Sequence, residues 1–284
     1  MPIVLAQPTT AGWIQIAETF ECRWKFPHCI GAMDGKHIRI KAPPNSGSKY
    51  FNYKLFHSII LLAICDAKYC FTLVDIGANG RQSDGGVFSR SIMGRRFENG
   101  SMGVPPPAAV TGTQTILPYV LVADQAFSLA PYLLRPYPDR SGLNYTKRIF
   151  NYRLSSVRRI IENTFGILQA RWQVFWGPIG GNIDTTKAIV AACVCLHNFL
   201  MKGDKTSRRN FYFDSTLVDT ETNDGEIVPG AWRNQIPMQS DDHNDENSLA
   251  IQEFPMQSEE IRQRFAEFLE DEGAVPWQFW RMYL

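Results

Sequence analysis

The sequence predicts an α/β domain, with β-strands covered by helices, followed by an acidic, partly disordered C-terminal extension. Three features carry that prediction. Residues 56–65 and 71–76 are β-rich runs split by the turn Asp66-Ala67-Lys68, the pattern of neighbouring antiparallel strands. Residues 119–123 form a compact apolar run that ends at Asp124, as suits a central strand of a covered sheet. Val157, Ile161, Phe165, Leu168 and Trp172 recur at intervals of four, four, three and four, the stripe of a helix packed on a core.

The remaining elements follow in chain order. Residues 11–25 read as a short amphipathic helix with Trp13, Ile16, Ala17 and Phe20 on one face. CIGAMDGKHIRIKAP is strand-like and is stopped by Pro43-Pro44, and residues 45–49 form a polar turn. GANGRQSDGG reads as loop, residues 85–97 as one helix, and residues 100–118 as a Pro/Gly/Thr-rich surface loop. The stretch 144–172 has no proline and one glycine, Gly166, so a long helix is expected there. A further helix, residues 184–201, closes this part of the chain, and no internal repeat is present. Beyond Lys202 the composition changes. SDDHNDEN is acidic and poor in apolar residues, which predicts disorder. Residues 258–269 regain helical spacing through Ile261, Phe265, Phe268 and Leu269. The closing VPWQFWRMYL is aromatic-rich and suits docking on the body or on a partner.

Composition bounds the function. At 44% hydrophobic and 20% charged residues, the chain can bury a real core. Its longest strongly apolar run, residues 58–65, is too short to span a bilayer. The N-terminus lacks the basic start and long apolar stretch of a signal peptide. A soluble, intracellular protein is therefore expected. The six cysteines make no CxxC pair. Cys193, Cys195 and His197 invite a zinc reading, but on a helix residues two apart point apart, so core cysteines are expected. Residues 1–203 carry 22 lysines and arginines against 11 acids, whereas residues 204–284 carry 7 against 17. A basic body suits a polyanion partner through counterion release. It suits an ordinary solvated surface equally well, and charge alone does not choose.

Three acids sit where acids are costly. Asp34 interrupts an apolar strand, Asp124 ends one, and Glu162 lies beside two isoleucines at the edge of the helical stripe. A buried carboxylate needs a cation, a proton or hydrogen bonds. Paired divalent metals would supply that charge and activate water against a phosphodiester, and hard Mg²⁺ or Mn²⁺ suits such oxygen ligands. Each acid also has a structural explanation. Asp34 can cap a turn with Gly35, Asp124 can cap a following helix, and Glu162 can pair with Arg158 or Arg159.

The segments CIGAMDGKHIRIKAP, VDIGANGRQSDGGVF, LVADQAFSLAPYLLRPYP, KRIFNYRLSSVRRIIENTFGILQARW and ACVCLHNFL follow one another in this order. Together they resemble the nuclease domain of the PIF/Harbinger superfamily of DDE transposases, including its domesticated nuclease-like members, over residues 12–201. That resemblance implies an RNase H-like mixed β-sheet flanked by helices. It implies a metal-dependent DNA endonuclease using Mg²⁺ or Mn²⁺, with catalytic acids at Asp34, Asp124 and Glu162. Asp84 is implied as a fourth metal-site residue, although Ser83-Asp84-Gly85-Gly86 equally reads as a helix N-cap. Lys147, Arg148, Arg153, Arg158 and Arg159, which precede Glu162, are candidates for DNA phosphates or else a solvated helix face. On a strand His37 points away from the Asp34 face, which favours a structural or substrate-contacting role, while Trp172 and Trp176 read as core anchors.

The chain departs from the family pattern in two places. ADQAF stands where many members have a GDSGY-type motif, with the aspartate kept. Members also carry a helix-turn-helix-like region before the nuclease domain, whereas 33 residues precede Asp34 here. Site-specific recognition is therefore expected to be absent or supplied by a separate DNA-binding partner, and a truncated gene product would look the same. The expected division is residues 1–27 as helix and linker remnant, 28–203 as nuclease domain and 204–284 as acidic tail. DNA as partner implies the nucleus, with the cytoplasm as a second location. The competing expectation is a catalytically silent, domesticated scaffold that works through protein contacts.

Overall fold

A computed structural model describes residues 5–138, 142–202, 212–222, 226–235 and 256–279. Helix α1 (Thr10–Trp24) is capped by the Thr9 side chain and ends at Lys25 in the left-handed region. It leads into β1 (Cys29–Arg39), β2 (Ser58–Cys65) and β3 (Phe71–Asn79), which pair antiparallel in turn. The short strands β6 (Val120–Val122) and β7 (Leu133–Leu134) add in parallel on the other side of β1. The sheet order is β3-β2-β1-β6-β7, a mixed five-stranded sheet. This is the expected RNase H-like α/β arrangement.

Alternation along the strands divides the core into two layers. Ala32, Leu61, Ala63 and Val122 face helix α4 (Tyr145–Arg171) and its neighbours, through Val157, Ile161 and Leu168. Ile30, Met33, Leu62 and Leu121 face α1 and the pair α2 (Asp84–Arg90) and α3 (Ile92–Glu98), through Trp13, Phe88 and Phe97. With both faces covered, β2 is buried throughout its SIILLAIC run, which is why it reads as continuous rather than alternating hydrophobicity. Helix α5 (Ile183–Met201) closes the β3 edge. There the Asn198 amide accepts from the Phe71 N–H at 2.8 Å and donates to its carbonyl at 2.7 Å, which satisfies backbone groups that an edge strand otherwise leaves open.

Several expectations are corrected. Residues 85–97 are two helices, because the Ser91 hydroxyl caps α3 by accepting from the Gly94 N–H at 2.9 Å while its backbone is extended. Part of the expected loop GANGRQSDGG continues strand β3 as far as Asn79. The loop at 100–118 contains the small hairpin β4 (Ala108–Ala109) and β5 (Ile116–Leu117), and buries Met102, Val110 and Leu117. No helix follows Asp124; a turn does.

Beyond α5, the described segments are the two-stranded pair β8 (Thr220–Glu221) and β9 (Ile227–Val228), then α6 (Trp232–Gln235) and α7 (Met256–Glu270). The described segments beyond residue 203 pack onto the preceding body. Phe265, Ala266 and Leu269 of α7 lie in the same buried cluster as α4. The SDDHNDEN segment and residues 280–284 lie outside the described residues.

Among the described residues α5 is long and apolar enough to cross a membrane by length and composition, a longer candidate than residues 58–65. Val190, Val194 and His197 on its inner face are buried. His197 is bonded through its two ring nitrogens to the Tyr212 hydroxyl at 2.8 Å and the Tyr69 carbonyl at 2.7 Å. Cys193 is buried beside it, the structural role expected for this CxCxH string.

Candidate acidic site at the ends of two parallel strands

Ala32 of β1 pairs with Val122 of β6. Asp34 stands two residues further along β1, and Asp124 two residues beyond the end of β6. Because side chains alternate, Asp34 emerges on the face that α4 covers, and Asp124 lies close enough to raise its carboxyl. β6 ends at Val122, so the chain opens at the level where two carboxylates meet. Each is held by local backbone: Asp34 Oδ1 accepts from the Gly35 N–H at 2.8 Å, and Asp124 Oδ1 from the Ala126 N–H at 2.9 Å.

Asp84 reaches the same place from the other layer. It is the first residue of α2, and the N-cap function belongs to Ser83, whose hydroxyl accepts from the Gly86 N–H. The Asp84 carboxyl instead lies over Gly35, where a Cβ on that glycine would meet its Cγ and Oδ1 at 2.2 Å. Gly85 approaches just as closely: a Cβ there would meet the Ala126 carbonyl oxygen at 2.3 Å. The two glycines let α2 close against both β1 and the turn after Asp124. A DG in one motif and a DGG in another are thus explained by one contact region.

Glu162 comes from α4. Its Oε1 accepts from Arg158 Nη2 at 3.1 Å, one helical turn earlier. The other three acids act on Asp34 electrostatically. Burial first, then the charges of Asp124 and Asp84, and less strongly Glu162, hold its carboxyl well above the usual range, while Arg158 pulls it down. The repulsive part of the shift puts Asp124, Asp84 and Glu162 within electrostatic range of Asp34.

The donor set suits a hard divalent cation in kind. It is made of carboxylate oxygens that repel one another, with a glycine making room for one of them. It is not closed around one ion: among the described residues no three acidic, histidine or cysteine side chains are grouped closely enough to share a metal. Glu162 is turned into its pair with Arg158, the arrangement also open to it from sequence spacing. Arg158 supplies the positive charge nearest the acids, and its Nε is buried without a hydrogen-bond partner.

The five basic residues before Glu162 do not form one face. Arg153 is buried and donates to the Gln278 Oε1 at 2.7 Å, the Gly273 carbonyl at 3.1 Å and the Lys25 carbonyl. Arg159 is buried and paired with Glu221 at 3.1 Å. Both are corrected to internal ties, because later segments of the chain cover them. Arg148 is exposed, Lys147 lies 5.1 Å from the Tyr137 ring, and Arg158 adjoins the acids. His37 pairs through its Nδ1 with the Ser58 hydroxyl at 2.8 Å. Trp176 anchors through its indole N–H to the Gln169 carbonyl at 2.8 Å, and Trp172 bonds to the Tyr212 hydroxyl at 3.1 Å.

One contributor escaped the sequence reading. Arg135, buried after β7, donates to the Gln125 and Phe127 carbonyls, each at 3.1 Å, and fixes the turn that carries Asp124. Its charge also lies within range of Asp124. An arginine amid the apolar run YLLRPY was the available signal.

Residues 33–198 match the family described as DDE superfamily endonuclease. HARBI1 of Mus musculus, named as a nuclease of unproven activity, is 29% identical over 61% of this chain and 46% of its own length. The Homo sapiens protein of that name is 26% identical over 62% and 47%. An ALP1-like protein of Arabidopsis thaliana is 28% identical over 66% and 46%. The chain thus spans about half the length of the curated relatives it matches. No solved structure matches.

Proposed function

This chain belongs to the DDE superfamily endonucleases, of the Harbinger-derived kind, and on that premise we propose that Asp34, Asp124 and Glu162, assisted by Asp84, form the active site of a divalent-metal-dependent DNA nuclease. The observation that supports this reading is the electrostatic coupling of Asp34 to Asp124, Asp84 and Glu162, together with the parallel pairing of β1 and β6 just before the two aspartates.

In this reading the four carboxylates would hold Mg²⁺ or Mn²⁺, which when bound would supply a polarised water and offset charge on the leaving oxygen. The backbone bonds from Gly35 and Ala126 orient Asp34 and Asp124 before substrate arrives. Gly35 and Gly85 admit Asp84 to the site, and Arg135 stiffens the turn after β6. Arg158 exchanges its Glu162 bond for a substrate phosphate, so that Glu162 turns to the cation. Arg148 and Lys147 at the start of α4 hold the DNA backbone further out. Residues 28–203 form the catalytic unit, and a DNA substrate makes the nucleus the proposed place of action.

The test is nicking of supercoiled DNA by the purified chain with Mg²⁺ or Mn²⁺. Loss of nicking in Asp34→Ala and Asp124→Ala is the expected result, and equal cleavage by wild type and Asp34→Ala removes the assignment. The Arg158–Glu162 pair favours a second reading, a domesticated scaffold with a silenced site that works beside a separate DNA-binding partner. Calorimetry separates the two, because a silenced site takes up no Mn²⁺ even with DNA present.

A further inference from the structure

Between Asp34 and Asp66 the chain holds no acid, yet it carries Lys36, Arg39, Lys41, Lys49 and Lys54. Within that stretch, the loop between β1 and β2 sends three large apolar side chains into solvent: Phe51 is 38% exposed, Tyr53 55% and Leu55 78%. Scattered single apolar residues need no explanation, but three at alternate positions among cations form a patterned surface.

The loop is rigidly built. Asn52 is buried and brackets it, accepting from the Phe56 N–H at 3.1 Å, donating to the Ser58 hydroxyl at 2.9 Å, and pairing through its own N–H with the Phe56 carbonyl at 2.9 Å. Ser58 in turn meets His37 of β1. The bracket forces Leu55 to a φ of +64°, a conformation that is unfavourable for a bulky residue. A strained backbone that holds a leucine out in water is the sort of feature that persists where the side chain is used.

Through β1 the loop also neighbours Asp84. Gly35 and His37 lie on one face of β1, two residues apart and so roughly 7 Å along the strand. The Asp84 carboxyl covers Gly35, while the Tyr53 ring stands edge-on to His37 with centroids 5.6 Å apart.

We infer that residues 49–57 form a base-engaging wedge, in which Tyr53 stacks on and Leu55 inserts beside bases of a DNA strand that is unpaired, or being unpaired, next to the acidic site. Lys41, Lys49 and Lys54 hold that strand's phosphates. The absence of any acid from 35 to 65 favours a nucleic acid over a protein as the occupant. Aromatic stacking accepts any base, and apolar wedges unstack duplex steps. The inference rests on DNA being the substrate.

The experiment uses the full chain in EDTA with two fluorescent DNAs: a fully paired duplex, and one with a single-stranded flank carrying 2-aminopurine. Wild type is expected to bind both and to change the 2-aminopurine emission. Tyr53→Ala and Leu55→Gly are expected to abolish that change and to weaken binding of the flanked DNA about tenfold, with paired duplex bound as by wild type. Leu55→Gly removes an exposed side chain at a positive φ, so it keeps the wild-type melting temperature and separates loss of function from misfolding. Unchanged emission and affinity in both variants overturn the wedge and leave the nuclease reading standing. A wild-type chain that binds neither DNA overturns both.

Discussion

The carboxyl group of Asp84 occupies the space where Gly35 would carry a side chain, 2.2 Å from that missing Cβ. It sets a helix-borne acid on the strand residue next to Asp34, across the sheet from Glu162. No alanine fits at position 35 unless Asp84 leaves.

Gly35→Ala is therefore expected to destabilise the chain by about 1–3 kcal/mol through overpacking and to abolish metal-dependent nicking. Adding Asp84→Ala should recover most of the lost stability but none of the cleavage. A double-mutant cycle by thermal denaturation checks the coupling; strictly additive losses would show that the two residues do not share this space.

The raised carboxyl of Asp34 makes metal-free stability depend on pH with a definite sign. The folded state holds the proton more tightly than the unfolded state does. Stability from this group is thus fully present below the ordinary carboxylate range, near pH 4, and is lost as pH rises through the higher folded value. Asp34→Asn keeps an acceptor for the Gly35 N–H and cannot ionise, so near neutral pH it should melt above the wild type. The difference should close on acidification, and it should also shrink when Mn²⁺ is added to the wild type. Parallel melting curves for the two proteins across the whole pH range would contradict it.

Arg158 competes with any cation for Glu162 and lowers the Asp34 carboxyl. Arg158→Gln should cost little stability, about 0.5 kcal/mol for a partly exposed i,i+4 pair. It should bind Mn²⁺ several-fold more tightly by calorimetry and DNA more weakly. Weaker Mn²⁺ binding would mean that the arginine supports the cation site rather than opposing it.

Arg153 separates structure from substrate binding. Its buried guanidinium, pulled down to about 10 by burial yet still charged at neutral pH, joins α4 to Gln278, Gly273 and the end of α1. Arg153→Ala should lose about 3 kcal/mol or more by stranding those acceptors while leaving DNA affinity unchanged below its melting point. Arg148→Glu should do the reverse, and equal effects on DNA binding would restore the two arginines to one interface.

His197 titrates the other way from Asp34. Burial lowers it to about 4, so its contribution is present above the ordinary value of 6.5 and is lost as pH falls from 6.5 towards 4. His197→Gln should flatten the melting curve in that window. EDTA should not lower the melting temperature of the wild type as purified, because both ring nitrogens are already bonded within the protein; a drop would bring back a zinc role.

Much of the fold was legible because its signals are local. The apolar run of β2, the stripe of α4 and the Ser83 cap depend on neighbours within a few residues. The break at Ser91 was less visible, since a serine inside an apolar-periodic stretch reads as helix until its hydroxyl is seen capping Gly94. The three principal acids stood out because a carboxylate in apolar sequence demands compensation, and motif order joined them.

By itself the sequence determined the identities and spacing of Asp34, Asp84, Asp124 and Glu162, the strands and helix that bear them, and a body rich in positive charge. Only the tertiary structure decided which of those groups meet. Parallel pairing of β1 with β6 brought Asp34 within range of Asp124, and two glycines let Asp84 approach β1. Packing of the last helix and the segment after it turned Arg153 from a surface cation into an internal tie. Periodicity reports which face a residue takes on its own element. What lies across from that face depends on contacts between residues more than a hundred positions apart, such as Arg153 with Gln278, and no local pattern encodes them. The four carboxylates are thus a property of the chain, and their electrostatic coupling to Asp34 a property of the fold.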